Sequence, residues 1–246
     1  SARSCAAMTD QPQLRANPVF AALDTPDLDQ ALAWAEALRG HVGGVKTGLE
    51  FFSANGADGV RRIVDLGLPV FLDLKFHDIP NTVAGAIRAL GALRPFMVNV
   101  HACGGRAMME AAVAANDKAG DARPLMLAVT VLTSLDDDDL TELGVSANAG
   151  EQAVRLARLA QDCGVDGVVC SPKEITLLRD ACGPDFKLVV PGIRPAWAST
   201  DDQKRIATPA DAVAMGADYL VIGRPITGAE DPVAAAVRVG EELAAV

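Results

Sequence analysis

The feature that most restricts this chain is a repeat of architecture rather than of residues. A short apolar run, a loop carrying Gly, Asp or Pro, and an amphipathic segment rich in Ala, Leu and Arg recur eight times along 246 residues. The apolar runs fall near residues 19–23, 42–47, 70–74, 97–100, 125–131, 167–170, 188–190 and 219–222. Helical periodicity predicts helices near 28–39, 82–93, 106–119, 150–162, 173–181, 209–215 and 232–245, plus a less regular one over 49–66 that a Gly interrupts. Strict strand–helix alternation predicts a parallel sheet, and eight units favour closure into a (β/α)8 TIM barrel over an open doubly wound sheet. The open sheet would normally carry Gly-x-Gly-x-x-Gly after its first strand, and Leu23-Asp24-Thr25-Pro26 stands there instead. No Gly-, Ser- or Pro-rich linker divides the chain, so one barrel domain is expected over residues 17–246, preceded by an extension over 1–16. Residues 1–7 precede Met8-Thr9-Asp10, which would make an ordinary start, and are set aside as a remnant or an upstream addition.

In such barrels the chemistry sits where the strands end, so the polar residues sort by rim. The eight exits carry Asp24, Lys46, the trio Asp73, Lys75 and Asp78, then Asn99 with His101, residues 130–134, Ser171, Pro191-Gly192-Ile193-Arg194, and Gly223-Arg224. The opposite ends read as mostly Gly, Pro and apolar residues. The densest exit is Asp73-Leu74-Lys75-Phe76-His77-Asp78-Ile79-Pro80-Asn81-Thr82. Strand alternation points Asp73 and Lys75 to one side, and Asp78 follows within reach once the chain turns. With Lys46 from the neighbouring strand they form an alternating array, Lys46, Asp73, Lys75, Asp78, in which opposite charges keep the lysines protonated. A protonated lysine donates a proton and does not readily form a Schiff base. A carboxylate beside it repels an anionic group that leaves during reaction, so loss of carbon dioxide fits the array. A lone Asp-x-Lys is more simply an ion pair at a strand end; convergence on one rim argues for a pocket.

Loops after the seventh and eighth strands of such barrels often hold phosphate. Gly223 permits close backbone approach, Arg224 and Arg194 offer guanidinium forks, and Gln203 adds a neutral donor, so a phosphorylated ligand is expected there. The net charge of −10 and the absence of a basic run exclude a nucleic-acid surface. The acidic run at 136–139 reads as a solvated loop. Cys5, Cys103, Cys163, Cys170 and Cys182 are odd in number and lack metal spacing, which fits a reducing cytoplasm better than a disulfide framework or a zinc site. No apolar run approaches membrane-spanning length and no signal peptide is visible. A divalent metal at the acids is disfavoured because Lys46 and Lys75 compete for the same carboxylates and His77 has no ligand spacing. His101 reads as a hydrogen-bonded barrel residue, and Ser134 has no base beside it to make a serine hydrolase.

The segments Ala22-Leu23-Asp24, Val45-Lys46-Thr47-Gly48, the Asp73 to Thr82 run, Met97-Val98-Asn99-Val100-His101, residues 128–134, Pro191-Gly192-Ile193-Arg194-Pro195 and Ile222-Gly223-Arg224-Pro225 together resemble the orotidine 5'-monophosphate decarboxylase family. The resemblance spans nearly the whole chain. It implies a (β/α)8 barrel acting as a homodimer, without metal or organic cofactor, on a small nucleotide substrate in pyrimidine nucleotide synthesis. It further implies that Lys75 protonates C6 of the pyrimidine as carbon dioxide leaves, with Asp73 against the substrate carboxylate. Asp24 and Lys46 would hold the ribose hydroxyls. Asp78, Ile79 and Thr82 would reach into the partner's site, Thr133 or Ser134 would address the base, and Arg194, Gln203, Gly223 and Arg224 would hold the phosphate. Two rivals remain at this point. One is a magnesium-dependent sugar-phosphate decarboxylase or aldolase sharing Asp-x-Lys-x-x-Asp; the other is a catalytically silent barrel that binds a nucleotide.

Overall fold

The structure is a computed structural model and describes residues 17–198 and 207–245. Eight parallel strands close into a barrel in chain order, with the last strand bonded to the first. They are β1 (Val19–Ala22), β2 (Gly44–Thr47), β3 (Val70–Phe76), β4 (Met97–His101), β5 (Leu125–Val129), β6 (Gly167–Val169), β7 (Lys187–Val190) and β8 (Tyr219–Ile222). Among the described residues the helices are α1 (Leu28–Leu38), α2 (Leu49–Val64), α3 (Pro80–Leu90), α4 (Arg106–Asn116), α5 (Asp137–Glu142), α6 (Ala149–Asp162), α7 (Ile175–Cys182), α8 (Pro209–Met215), α9 (Arg224–Thr227) and α10 (Pro232–Ala244). The expected (β/α)8 barrel is therefore the observed fold.

The alternating pleat divides the apolar residues into two cores. Outward strand residues such as Val19, Ala21, Val45 and Leu72 pack beneath the helices. Inward ones, among them Phe20, Phe71, Leu127, Val189 and Val221, fill the barrel. Phe20 and Phe96 stack at 5.9 Å between centroids, and Tyr219 meets both edge-on at 5.7 and 6.0 Å. These rings plug the end where strands begin. Gly44 makes room for them, because a Cβ there would run into the Phe20 ring and the Pro69 carbonyl.

Several local expectations are corrected. The acidic run at 136–139 is not a loop: Asp136 caps α5, accepting from the N–H groups of Asp138 and Asp139 while Asp139 returns to the Asp136 N–H. Acids at a helix N-terminus satisfy orphan donors and complement the dipole, which is why a run of four aspartates folds here. The helix expected over 173–181 is a 3-10 turn, Pro172–Glu174, followed by α7. The four-residue α9 follows Gly223 directly and was not foreseen. The interruption expected in the second helix is real and lies at Gly56, whose φ of 60° only glycine adopts freely.

The N-terminal rim is also less bland than its sequence suggests. Arg123 holds the Asp166 carboxylate through two bonds of 2.6 and 2.8 Å, and that carboxylate accepts from the Met126 N–H at 2.7 Å. Asp218 repeats the pattern two strands on, pairing with Arg179 at 2.8 Å and Lys187 at 3.0 Å while accepting from the Leu188 N–H. Each clasp joins two neighbouring strands through an acid that precedes the second of them.

Candidate active site

Inward positions near the strand ends converge on a cavity of about 300 Å³ at the C-terminal rim. Phe71, Val129, Val169 and Val221 form its apolar floor; Asp24, Lys46, Asp73, Lys75 and Thr133 supply its polar wall. A second, wider cavity of about 530 Å³ adjoins it, sharing Asp24, Gly192, Val221 and Gly223 and lined further by Arg194, Arg224 and Trp197. The Arg238 guanidinium of α10 lies 4.3 Å over the Trp197 ring, tying the last helix to this wall. Among the described residues neither Arg194 nor Arg224 forms an ion pair, so both cationic heads are left to the cavity.

The charges of the first cavity run as a chain. Asp24 Oδ1 lies 3.0 Å from Lys46 Nζ, Lys46 Nζ lies 3.6 Å from Asp73 Oδ2, and Asp73 Oδ1 accepts from Lys75 Nζ at 2.6 Å. The middle of the chain is its buried part: the Lys46 and Asp73 side chains are 11 and 12% exposed, against 59% for Asp24 at one end and 30% for Lys75 at the other. Burial pushes the Asp73 carboxyl up, but the charges of Lys46 and Lys75 and the bonds from Lys75 and Asn99 outweigh it, leaving its pKa below the ordinary 3.8. Gly48 follows because a Cβ there would approach Lys46 Nζ to 3.1 Å.

Backbone alternation alone does not place Lys75. The pairing of β3 with β4 changes register between Leu72 and Phe76, and Lys75 has φ of 50°, in the left-handed region. For a residue with a Cβ this conformation costs about 1–2 kcal/mol and marks a position held by its surroundings. Its N–H leaves the ladder and donates to Asn99 Oδ1 at 2.8 Å, while Asn99 Nδ2 donates to Asp73 Oδ1 at 2.7 Å. Asn99 is completely buried. It stood on the predicted rim without a role; the signal available was an amide at an inward position of a central strand, where Asn is disfavoured.

Asp78 is corrected within this chain. It is exposed and its carboxylate turns back onto the Ile79 N–H at 2.6 Å, so the fourth member of the local array is Asp24. Ile79, with 67% of its surface exposed, and Thr82 also face outward. His77 stacks on His101 at 5.4 Å rather than standing alone. The expected hydrogen bond of His101 is missing at one nitrogen: its buried Nδ1 has no partner among the described residues. Burial, then His77 and Lys75, hold the His101 pKa below the ordinary 6.5. Of the expected pair, Thr133 lines the cavity and Ser134 is an exposed turn residue outside its lining. Gln203 lies outside the described residues. Among those residues no group of three or more His, Cys, Asp or Glu side chains could hold a metal ion.

A family model described as "Orotidine 5'-phosphate decarboxylase / HUMPS family" matches residues 17–239. The chain belongs to this family. The orotidine 5'-phosphate decarboxylase of Rhodospirillum rubrum is 57% identical over 236 residues, 94% of this chain and 96% of that one. Its counterpart from Moorella thermoacetica is 52% identical, with 92% and 91% covered. The solved orotidine 5'-phosphate decarboxylase of Lactobacillus acidophilus is 39% identical and matches with a TM-score of 0.82 over 92% of this chain and 99% of that one. Relative to the expectations drawn from the orotidine 5'-monophosphate decarboxylase resemblance, the structure gathers Asp24, Lys46, Asp73, Lys75 and Thr133 around one cavity and Arg194, Gly223 and Arg224 around the next. It leaves Asp78, Ile79 and Thr82 exposed on the outside of the chain.

Proposed function

We propose that this chain decarboxylates orotidine 5'-monophosphate to uridine 5'-monophosphate, with Lys75 as the proton donor and no metal or organic cofactor. The chain is a carboxy-lyase of pyrimidine nucleotide synthesis; identities of 52–57% over nearly full length to relatives of that name support this. The observation that carries the mechanism is the Lys46–Asp73–Lys75 chain at the mouth of an apolar-floored cavity. Set against Asp73, the substrate carboxylate meets a like charge that stays ionised. The bond from C6 to that carboxylate breaks, its electron pair remains on C6, and the Lys75 ammonium gives the proton that completes the product. Lys46 and Asp24 take the ribose hydroxyls, Thr133 or Ser134 the base, and Arg194, Gly223 and Arg224, with Gln203, the phosphate. Binding the phosphate in the second cavity supplies binding energy remote from the reacting carbon, which can be used to hold the ring in place.

Outward-facing Asp78, Ile79 and Thr82 complete the site of a second copy, so the working unit is a homodimer. An exposed isoleucine beside an exposed acid at the site's own rim supports that reading. The four cysteines among the described residues are free thiols, in keeping with a cytoplasmic setting. Incubation with orotidine 5'-monophosphate, followed by its ultraviolet absorbance, tests the activity; an unchanged spectrum would end the proposal. A chelator should leave turnover unaltered, whereas chelator-sensitive activity on a sugar phosphate would move the chain to the other half of its family's name.

A further inference from the structure

Asn99 occupies a point where the reacting lysine and its neighbouring carboxylate are held together. It projects inward from β4, the strand that pairs with β3, and its amide fills the gap left where the pairing of those strands changes register. The two ends of the amide are not interchangeable. An ionised Asp73 only accepts and the Lys75 N–H only donates, so Nδ2 must face the carboxylate and Oδ1 the backbone. One rigid group thus fixes Asp73 Oδ1 from one side and the left-handed backbone of Lys75 from the other. Lys75 Nζ reaches the same Asp73 Oδ1, which closes a loop of contacts through Asn99, Lys75 and Asp73.

Resting on the decarboxylase reading above, we propose that Asn99 is a positioning residue, setting the aim of the Lys75 ammonium by holding both the Lys75 backbone and the Asp73 carboxylate. It touches no reacting atom itself. Its effect therefore belongs in the chemical step and not in nucleotide affinity, since of the arginines lining the second cavity Arg194 follows β7 and Arg224 opens α9 after β8. Displacement of a reacting group by about 1 Å can lower a rate about a hundredfold.

The test uses the full-length protein with Asn99→Ala and Asn99→Asp. N99A should lower kcat about a hundredfold while the Kd for uridine 5'-monophosphate stays within about threefold of wild type. N99D has the same shape and gives a distinct signature. Ionised, it repels Asp73; protonated, it donates to Asp73 and still accepts from the Lys75 N–H, as the amide does. Its charged surroundings are Asp73 and Lys75 of β3, Lys46 of β2, Asp24 after β1, and the stacked His101 and His77. The ratio of N99D to wild-type kcat should rise about tenfold from pH 8 to pH 5, the protonated side chain restoring the aim. N99A with kcat within threefold of wild type, a flat N99D ratio, or parallel losses of kcat, nucleotide affinity and melting temperature would each overturn the proposal. Should N99A not fold, N99D decides. If wild type leaves orotidine 5'-monophosphate unchanged, the functional reading fails and takes this inference with it. If wild type turns over and N99A matches it, the inference alone fails.

Discussion

The two rims of the barrel use the same residue types in opposite ways. At the N-terminal rim Asp166 and Asp218 each join a cation to the first peptide groups of a neighbouring strand, so charge and main-chain donor are satisfied together. At the C-terminal rim Asp73 accepts from side chains only, Lys75 and Asn99, with Lys46 alongside, and the group borders a cavity. An acid closed on backbone fastens strands, and one ringed by side-chain cations at a cavity stores a field for something that enters. The same chemistry thus becomes scaffold or site according to whether it faces peptide groups or a cavity.

The comparison breaks most sharply at Lys75. On the proposed roles, Lys75→Ala should lower kcat by about 10²–10⁴-fold while uridine 5'-monophosphate still binds, because the proposed proton donor is lost and the proposed phosphate cavity is not. Equal loss of turnover and binding, read by titration calorimetry, would show that the upper rim is scaffold after all. Asp218→Ala makes the converse case. It takes the carboxylate from Lys187 and the Leu188 N–H and leaves Arg179 only its backbone carbonyls, and it should destabilise by about 2–3 kcal/mol in urea unfolding, with kcat of the folded enzyme unchanged. A changed kcat would mean that the lower clasps also tune the chemistry.

Arg224→Ala divides the upper rim itself. Loss of a charged hydrogen-bonding fork should raise KM by about 10- to 100-fold with a smaller change in kcat. A fall in kcat alone would move Arg224 from the phosphate to the reacting ring.

The smallest effect concerns acid stability. The Asp73 carboxyl is held below its ordinary 3.8 in the folded chain, so between its folded and unfolded values the unfolded state binds more protons and stability rises with pH. The contribution is complete above about pH 4 and disappears as pH falls through the folded value. The stability difference between wild type and Asp73→Asn should therefore be flat from pH 7 to about pH 5 and shrink only below pH 4. A difference that already shrinks between pH 7 and 5 would place Asp73 among ordinary or raised carboxylates.

Most of the barrel was legible because its periodicities are long and regular: eight apolar runs mark the strands, helical spacing marks the outer layer, and the polar residues at the strand exits mark the rim. Lys75 was legible as a residue and not as a geometry, since neither a positive φ nor a register change leaves a trace in residue type when the backbone is held from another strand. Asn99 carried a weak signal that only its two partners make specific. The lower clasps were missed because the strand entries read as mostly Gly, Pro and apolar residues, and Asp166 and Asp218 gain a role only when the neighbouring strand's N–H groups are set beside them. The helix at Asp137–Glu142 was missed because a run of like charges suggests solvation, and only the cap geometry of Asp136 turns it into a helix start.

Phe20, Phe96 and Tyr219 stopper the far end of the staves. On the proposed reaction, a molecule of gas liberated above them meets packed rings in the direction of the strand entries and leaves by the mouth through which the nucleotide came, slipping past it or waiting until it departs. Widening the stopper by truncating one of these rings would loosen the fold long before it opened a back door.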